Sequence, residues 1–456
     1  MPRFIPEHLL QRITAVSLTV WLTSLACLPA AYAMDLDAAY QAALAYDADL
    51  HAARFARQEA EEGIAVARAS LLPQLAYNYQ RNRANTTNTL LSTGQTTNSG
   101  DYSTESSALT LRQPLYRKSA WAGLESARAQ SAAADANYRK EDQNLALRVA
   151  GTYLEVLLAR SGLALANAET AAMEAQLILA ERAFKAGVGT RTDIDDARAR
   201  RDLSRARVTE ATMRLSQVAQ DFRTVTDIDA ARLPLIDPRA LAGRLMTLTG
   251  RAEWLARIEA DNPDIQSLHK QLDAARADVE RARGGHYPNV DLVLARQDGR
   301  SETNTTIGTG YRTDYVGVQV TVPLISGFGV TAQVRQSAAR LDRIRQALES
   351  TRRKILAEAE HLFLAVGHGI EKVEALEQSI KSSEQALISA QKGVQAGTRT
   401  SVDVLDAERR LFETKREQAF GAFELAINRM KFLALASAID GEAIKFSSDW
   451  LASAKR

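Results

Sequence analysis

Proline is absent from residues 115 to 233 and again from 324 to 456. A proline inside a helix costs about 3 kcal/mol, so two such gaps permit helices far longer than a compact domain holds. The stretch from Lys118 to about Ala186 also carries few glycines, giving roughly 69 residues and about 100 Å of helix at 1.5 Å each. Val330 to about Val394 repeats the pattern.

The prolines that do occur mark a duplication. Leu71-Leu72-Pro73-Gln74-Leu75 answers to His286-Tyr287-Pro288-Asn289-Val290, and Gln113-Pro114-Leu115-Tyr116 to Val322-Pro323-Leu324-Ile325. Gly187 to Ala197 answers to Gly397 to Ala407, 210 residues later. Three anchors in one order at nearly constant offset make an internal repeat, with a break at Pro234 and Pro238 between the copies. The expected organisation is a leader at 1–33, a first repeat at 34–235, a second at 236–440 and a tail at 441–456. Helices at about 36–71 and 250–285 lead into the strands, with breaks at Asp47-Ala48 and at Pro263.

Each repeat holds two candidate strands. Leu75, Tyr77 and Tyr79 alternate with polar or small residues, as do Leu109 and Leu111, then Val290, Leu292 and Leu294, then Val316, Val318, Val320 and Val322. The expected strands are about 74–90 and 104–116, then 287–301 and 313–326, with polar Thr/Asn/Ser/Gly-rich loops at 84–104 and 302–312. Period-two segments of roughly ten residues have the length of a tilted membrane strand. Four strands cannot close a barrel, and an open strand edge has no water partner in lipid, so membrane strands here require chains to share one barrel.

The expected helical hairpins, about 118–224 and 328–436, carry a seam. Val373, Leu376, Ile380, Ser383, Leu387, Ala390 and Val394 keep a 3,4 spacing, mirrored 210 residues earlier by Leu163, Ala166, Thr170, Met173, Leu177, Ala180 and Phe184. That is a coiled-coil pattern with small residues mixed in. The hairpins turn at Gly187, Gly189 and Gly397. Thr190-x-x-Asp193 and Thr400-x-x-Asp403 then resemble capping boxes, with Asp where Glu is usual.

Arg3 and Arg12 precede an apolar run ending at Leu28, and Ala31-Tyr32-Ala33 fits a cleavage site, so a signal peptide is expected with maturation at Met34. Cys27 is the single cysteine and lies in that leader; lipidation there is the lesser expectation, because its context lacks the usual Leu. No run of 18 uncharged apolar residues follows residue 33, so no membrane-spanning helix is expected. With 57 basic and 55 acidic residues, charge balance carries no nucleic-acid signal.

With these features the chain resembles the TolC family of outer-membrane export ducts. The most specific match is Gly397-Thr398-Arg399-Thr400-Ser401-Val402-Asp403-Val404-Leu405-Asp406-Ala407. Tyr116-Arg117-Lys118-Ser119-Ala120-Trp121 and Ser70-Leu71-Leu72-Pro73-Gln74-Leu75 match as well. The resemblance implies a mainly α fold with a β-barrel part: a homotrimer sharing a 12-stranded barrel in outer-membrane lipid, a long helical barrel in the periplasm, and a mixed α/β belt around its middle. It also implies an inner-membrane transporter and a periplasmic adaptor protein as partners, docking at the helical tip.

The hairpin ends at 184–196 and 394–406 would then form the periplasmic gate. Asp403 and Asp406 share one helical face. In a trimer they would form a ring of carboxylates able to bind cations and to raise one another's pKa; acids in a first turn also simply favour the helix dipole. By resemblance Arg399 would bond Thr192 and Asp193 of a facing hairpin. Val394 stands where a tyrosine would complete that latch, so the resting gate is expected to be weaker. Trp121, Tyr116 and Phe328 are candidates for an aromatic girdle, with junction packing the equal alternative. His361 and His368 lack zinc-protease spacing, and no phosphate loop or nucleophile elbow occurs. No catalytic residue, cofactor or dedicated metal site is expected. The leading function is passive conduction of secreted protein or small molecules; the rival is a soluble periplasmic coiled-coil adaptor or scaffold.

Overall fold

The computed structural model describes residues 35–234, 250–301 and 308–437. The expected leader with Cys27, the break at Pro238, most of the loop 302–312 and the tail 441–456 lie outside them. The order is α1 (Leu36–Tyr46), α2 (Ala48–Ala69), β1 (Gln74–Leu90), β2 (Gln95–Tyr116), α3 (Lys118–Lys185), α4 (Arg191–Thr226), α5 (Arg251–Asp261), α6 (Pro263–Arg283), β3 (Asn289–Ser301), β4 (Thr309–Thr321), α7 (Gly329–Gln395) and α8 (Ser401–Leu435). The second six elements repeat the order of the first six.

The proline-free stretches are continuous helices, α3 of 68 residues and α7 of 67. Near the sheet α2 packs on α3, α6 on both α3 and α7; farther out α4 packs on α3, and α8 on both α3 and α7. Four columns therefore stand side by side at every level, in the order α2/α4, α3, α6/α8, α7. The shorter columns are each interrupted near the middle of the long helices, where Asn262 Nδ2 donates to Leu435 O at 3.0 Å across the α6–α8 joint.

Both breaks in the leading helices are built by a capping side chain. Asp47 closes α1 and caps α2 by accepting from Leu50 N, and Arg148 of α3 pins its other oxygen at 2.6 Å. Asn262 accepts from Asp264 N, with Pro263 at the first helical position, where its missing N–H costs nothing.

The main core forms where the columns are jointed. Leu145, Tyr153, Leu154 and Leu157 of α3 pack with Leu36 and Tyr40 of α1, Phe222 of α4 and Phe423 of α8. A second cluster joins Ile258, Ile265, Leu362 and Phe432. The α/β belt expected at this level has no strand among the described residues, only helices and a 3-10 turn at Ala230–Arg232. By length and composition α3 contains a stretch apolar enough to cross a membrane, although charged residues such as Glu155 and Arg160 interrupt it and no uncharged apolar run of 18 residues occurs. The physical reason for this stretch is position: as the central column α3 meets α1, α2, α4, α6 and α8. Farther out, Met173, Leu177, Val373, Ile380 and Ala390 of the mirrored seams are buried.

The strands form one antiparallel sheet in the order β1-β2-β3-β4. The loop expected at 84–104 is mostly strand: β1 runs to Leu90 and β2 starts at Gln95, joined by a turn at Gly94 with φ 66°. Threonines are β-branched and suit strands even when polar, and here they pair across the ribbon, as Thr89 with Thr96. β4 ends at Thr321 rather than 326, ahead of Pro323, which has no N–H to give a ladder.

Candidate functional site

The sheet has two unlike faces. Leu75 is in register with Leu111, Leu111 with Leu294, and Leu294 with Val316, so these side chains share one face. Tyr77, Tyr79, Leu109, Val318 and Val320 lie on it too, all exposed. The opposite face carries Asn78, Gln80, Thr110, Gln297 and Gln319, and is the concave one, since Val293 and Ala295 of a central strand are buried there. On β1 the apolar positions start at the Leu75 row and run away from the helices; on β4 they start at that row and run toward them. A level apolar band crosses the hydrogen-bond rows obliquely in this way when strands tilt by the roughly 35–45° that barrel closure requires.

Where strands meet helices, Asp291 is buried and accepts from Arg117 Nη2 at 3.0 and 3.1 Å, with Arg112 at 3.8 Å. Lys118 Nζ bonds Glu280 at 3.2 Å and sits 4.1 Å from the Tyr287 ring centroid. These contacts tie the first repeat to the second beneath the sheet. Tyr116, Trp121 and Phe328 are exposed at this level, as are Leu324 and Ile325.

The hairpin ends are built alike. Val188 N donates to Ala183 O and Thr398 N to Gly393 O, while Gly187 and Gly397 take φ of 78° and 73°. Only glycine adopts that region freely, which explains these two positions. Gly189 is needed for space: a Cβ there would lie 2.9 Å from Phe184 N. Its counterpart in the second repeat is Arg399, whose stem lies over Gly393. Both capping boxes form, Thr190 with Asp193 and Thr400 with Asp403.

Asp193 therefore serves two partners: its Oδ2 caps α4, and its Oδ1 accepts from Ser401 Oγ of the other hairpin. The bond from Ser401, then those from Thr190, hold its carboxyl below the usual carboxylate range. Thr192 lies beside it, exposed. Arg399 does not reach Asp193 within the protomer; it acts on Asp403 through space. Asp403 is exposed, and bonds from Thr400, backbone first, hold its pKa down. Within one protomer the shift at Asp403 is therefore downward, not the rise expected of a ring of like charges in the trimer. Asp406 is not free, because Arg200 of α4 donates to it at 3.0 Å.

Farther from the tip the seam between hairpins stays polar. Gln176 donates to Glu408 at 2.9 Å, and buried Glu169 accepts from Arg207 and Arg416. Burial pushes Glu408 up, only partly offset by Gln176, and its Oε2 has no partner among the described residues. Ser401, Arg200, Glu408 and Glu169 are absent from the sequence-based site because their partners stand far away in the chain, 206 residues in the case of Arg200 and Asp406. No spacing rule connects them.

A curled sheet with an apolar outer band and two open edges, standing on helices about 100 Å long, defines the architecture of a membrane duct. A family model described as "Outer membrane efflux protein" matches residues 39–226 and 254–429. PrtF of Dickeya chrysanthemi, a proteases secretion protein, is 32% identical over 395 residues, 85% of this chain and 84% of its own. AprF of Pseudomonas aeruginosa, an alkaline protease secretion protein, is 30% identical over 411 residues, 89% and 85% of the two chains. The solved outer-membrane channel OprN shares the fold, with a TM-score of 0.76 over 88% of this chain and 90% of that one at 21% identity. The chain belongs to the outer membrane efflux protein family, the TolC-type export ducts. It is an outer-membrane exit duct whose helices stand in the periplasm.

Proposed function

We propose that three copies close head to tail into one duct that passes secreted protein, driven by a transporter and adaptor of the inner membrane and periplasm. The observation that carries this is the pair of matching open edges. In the sheet β1 and β4 are terminal, and in the outer helical layer the terminal columns are α4 and α7. Leu203 and Met213 of α4, and Leu364 and Ile388 of α7, are exposed. Edges that differ at the two ends join heterologously and close as a ring. Two copies would give about eight strands, a barrel filled by its own side chains; three give about twelve and a wall radius near 12 Å.

Cargo follows from the relatives named for protease secretion. Small-molecule efflux is the second reading, favoured by the family's description. The duct is passive in this reading, in keeping with a family described for efflux and relatives named for secretion.

At the tip, Asp193–Ser401 and Arg200–Asp406 hold the hairpins of one protomer together, while exposed Asp403 faces the entrance with its counterparts. A cation ring formed there by Asp403, with Asp406 behind it, and a bond from Arg399 to Thr192 or Asp193 of a neighbour, complete the gate. The test is mass and conductance of the detergent-purified mature protein. A trimer giving small conductance steps, blocked by multivalent cations from one side, is expected. A monomer that never inserts into a bilayer would return the protein to the soluble scaffold class. Appearance of a protease in the medium, dependent on this chain and a cognate transporter, separates protein secretion from efflux.

A further inference from the structure

Immediately beyond the apolar band, on the same face and on the side away from the helices, the strands carry a lattice of charge. Arg296 holds Asp314 bidentately at 2.6 and 3.1 Å, and Arg312 holds Asp298 at 2.6 Å. Next to them Arg81 meets Glu105 at 3.2 Å and Arg83 meets Asp101 at 2.8 Å. Arg300 shares this face, in the row of Glu105, and has no ion-pair partner among the described residues. The concave face of the same rows is uncharged, with Gln80, Ser106, Gln297 and Thr313. Charge on the convex face therefore does not serve the lumen.

Two depressions adjoin on this face. One of about 490 Å³ is lined by Leu75, Leu109, Leu111, Leu294 and Val316, and ends at the Arg296–Asp314 pair. The other, of about 440 Å³, starts in the next row and is lined by Tyr79, Glu105, Asp298, Arg300 and Arg312. An apolar groove running into a charged one fits an amphiphile with a charged head. Arginine forks match phosphate oxygens bidentately, and carboxylates set between them are hard oxygen ligands for divalent cations. A head group that is phosphorylated and bridged by divalent cations satisfies both kinds of side chain.

Resting on the proposed assembly, which turns this face to lipid, we infer that it is a docking surface for a phosphorylated, multiply acylated glycolipid of the outer leaflet with its divalent counter-ions. Acyl chains lie along the Leu75–Val316 groove. The phosphates meet Arg300 and Arg312, and the cations meet Asp298 and Glu105.

Native mass spectrometry of the full mature protein, offered bis-phosphorylated lipid A and phosphatidylethanolamine in equal amounts with magnesium, tests this. Lipid A should be retained over phosphatidylethanolamine by about tenfold, and Arg300→Gln or Arg312→Gln should cut that preference by roughly fivefold each. Chelating magnesium should cut it further, while Arg112→Gln on the concave face leaves it unchanged. Equal retention of the two lipids, or no effect of either arginine variant, overturns the inference. Displacement of lipid A by millimolar inorganic phosphate alone also overturns it, reducing the site to a plain anion site. The same spectra report the oligomer, so an intact trimer without lipid preference is distinguished from failure of the trimer itself.

Discussion

Arg200 of α4 and Asp406 of α8 meet at 3.0 Å across the seam between the two hairpins, each about one-third exposed at its side chain. The pair engages within one protomer one of the two carboxylates assigned to the proposed cation ring. A partly exposed ion pair contributes about 0.2–1 kcal/mol and is screened by salt. Arg200→Ala should therefore raise resting single-channel conductance events by up to roughly fivefold at low salt, with a smaller effect at 1 M. The exchange Arg200→Asp with Asp406→Arg should return most of the closed behaviour. A rise that the exchange does not reverse would show that Arg200 acts elsewhere.

The bond from Ser401 to Asp193 is expected to make the tip sensitive to acid. Asp193 has its pKa lowered first by Ser401, then by Thr190. A depressed carboxylate stabilises the bonded state above its unbonded pKa, and that contribution is lost as pH falls through the depressed value. Closed channels should thus loosen only below the ordinary carboxylate range. Ser401→Ala removes the larger cause and should move loosening to higher pH, leaving the part due to Thr190. Identical conductance–pH curves for wild type and Ser401→Ala would refute the link.

The sequence carried the long helices, the duplication and the turns, because each rests on local rules. Proline gaps permit α3 and α7, and positive φ explains Gly187 and Gly397. It also placed Asp193 and Asp403 in capping boxes, which are contacts three residues apart. What it lacked was partnership over distance. Asp406 read as a free carboxylate because Arg200 lies in the other repeat, and a threonine-rich stretch read as loop because its pairing with a second polar strand has no hydrophobic period. Arg399 was legible as special, yet its stem lies over Gly393 only because the chain turns back at Gly397.

Glu408 of α8 is a buried carboxylate with Gln176 as its partner and one oxygen unpaired among the described residues. Burial raises its pKa, so its ionisation favours the unfolded chain and its effect on stability is unfavourable as pH rises past the ordinary glutamate value. Glu408→Gln keeps the shape and a bond to Gln176 without the charge. It should raise Tm by about 1–2 °C at pH 8 and by less at pH 5, while Glu408→Ala lowers it at both. Thermal melts of the purified protein at the two pH values decide; a gain for Gln that does not grow with pH would mean the carboxylate is neutralised by another group.

Gly393 and Arg399 offer a way to separate stability from gating. A Cβ at Gly393 would lie 2.9 Å from Arg399 Cγ and 3.0 Å from its Cδ. Gly393 is inside α7, where alanine is the better helix former by about 1 kcal/mol, so Gly393→Ala should not lower Tm. It must, however, push the Arg399 stem aside, and with it the guanidinium that the gate proposal assigns to a neighbouring hairpin. Gly393→Ala should raise resting conductance in the same direction as Arg399→Ser. Because both act through one side chain, the double variant should conduct no more than Arg399→Ser alone. Additive effects would mean that Gly393 shapes the turn independently of Arg399, and an unchanged conductance in both single variants would remove Arg399 from the gate.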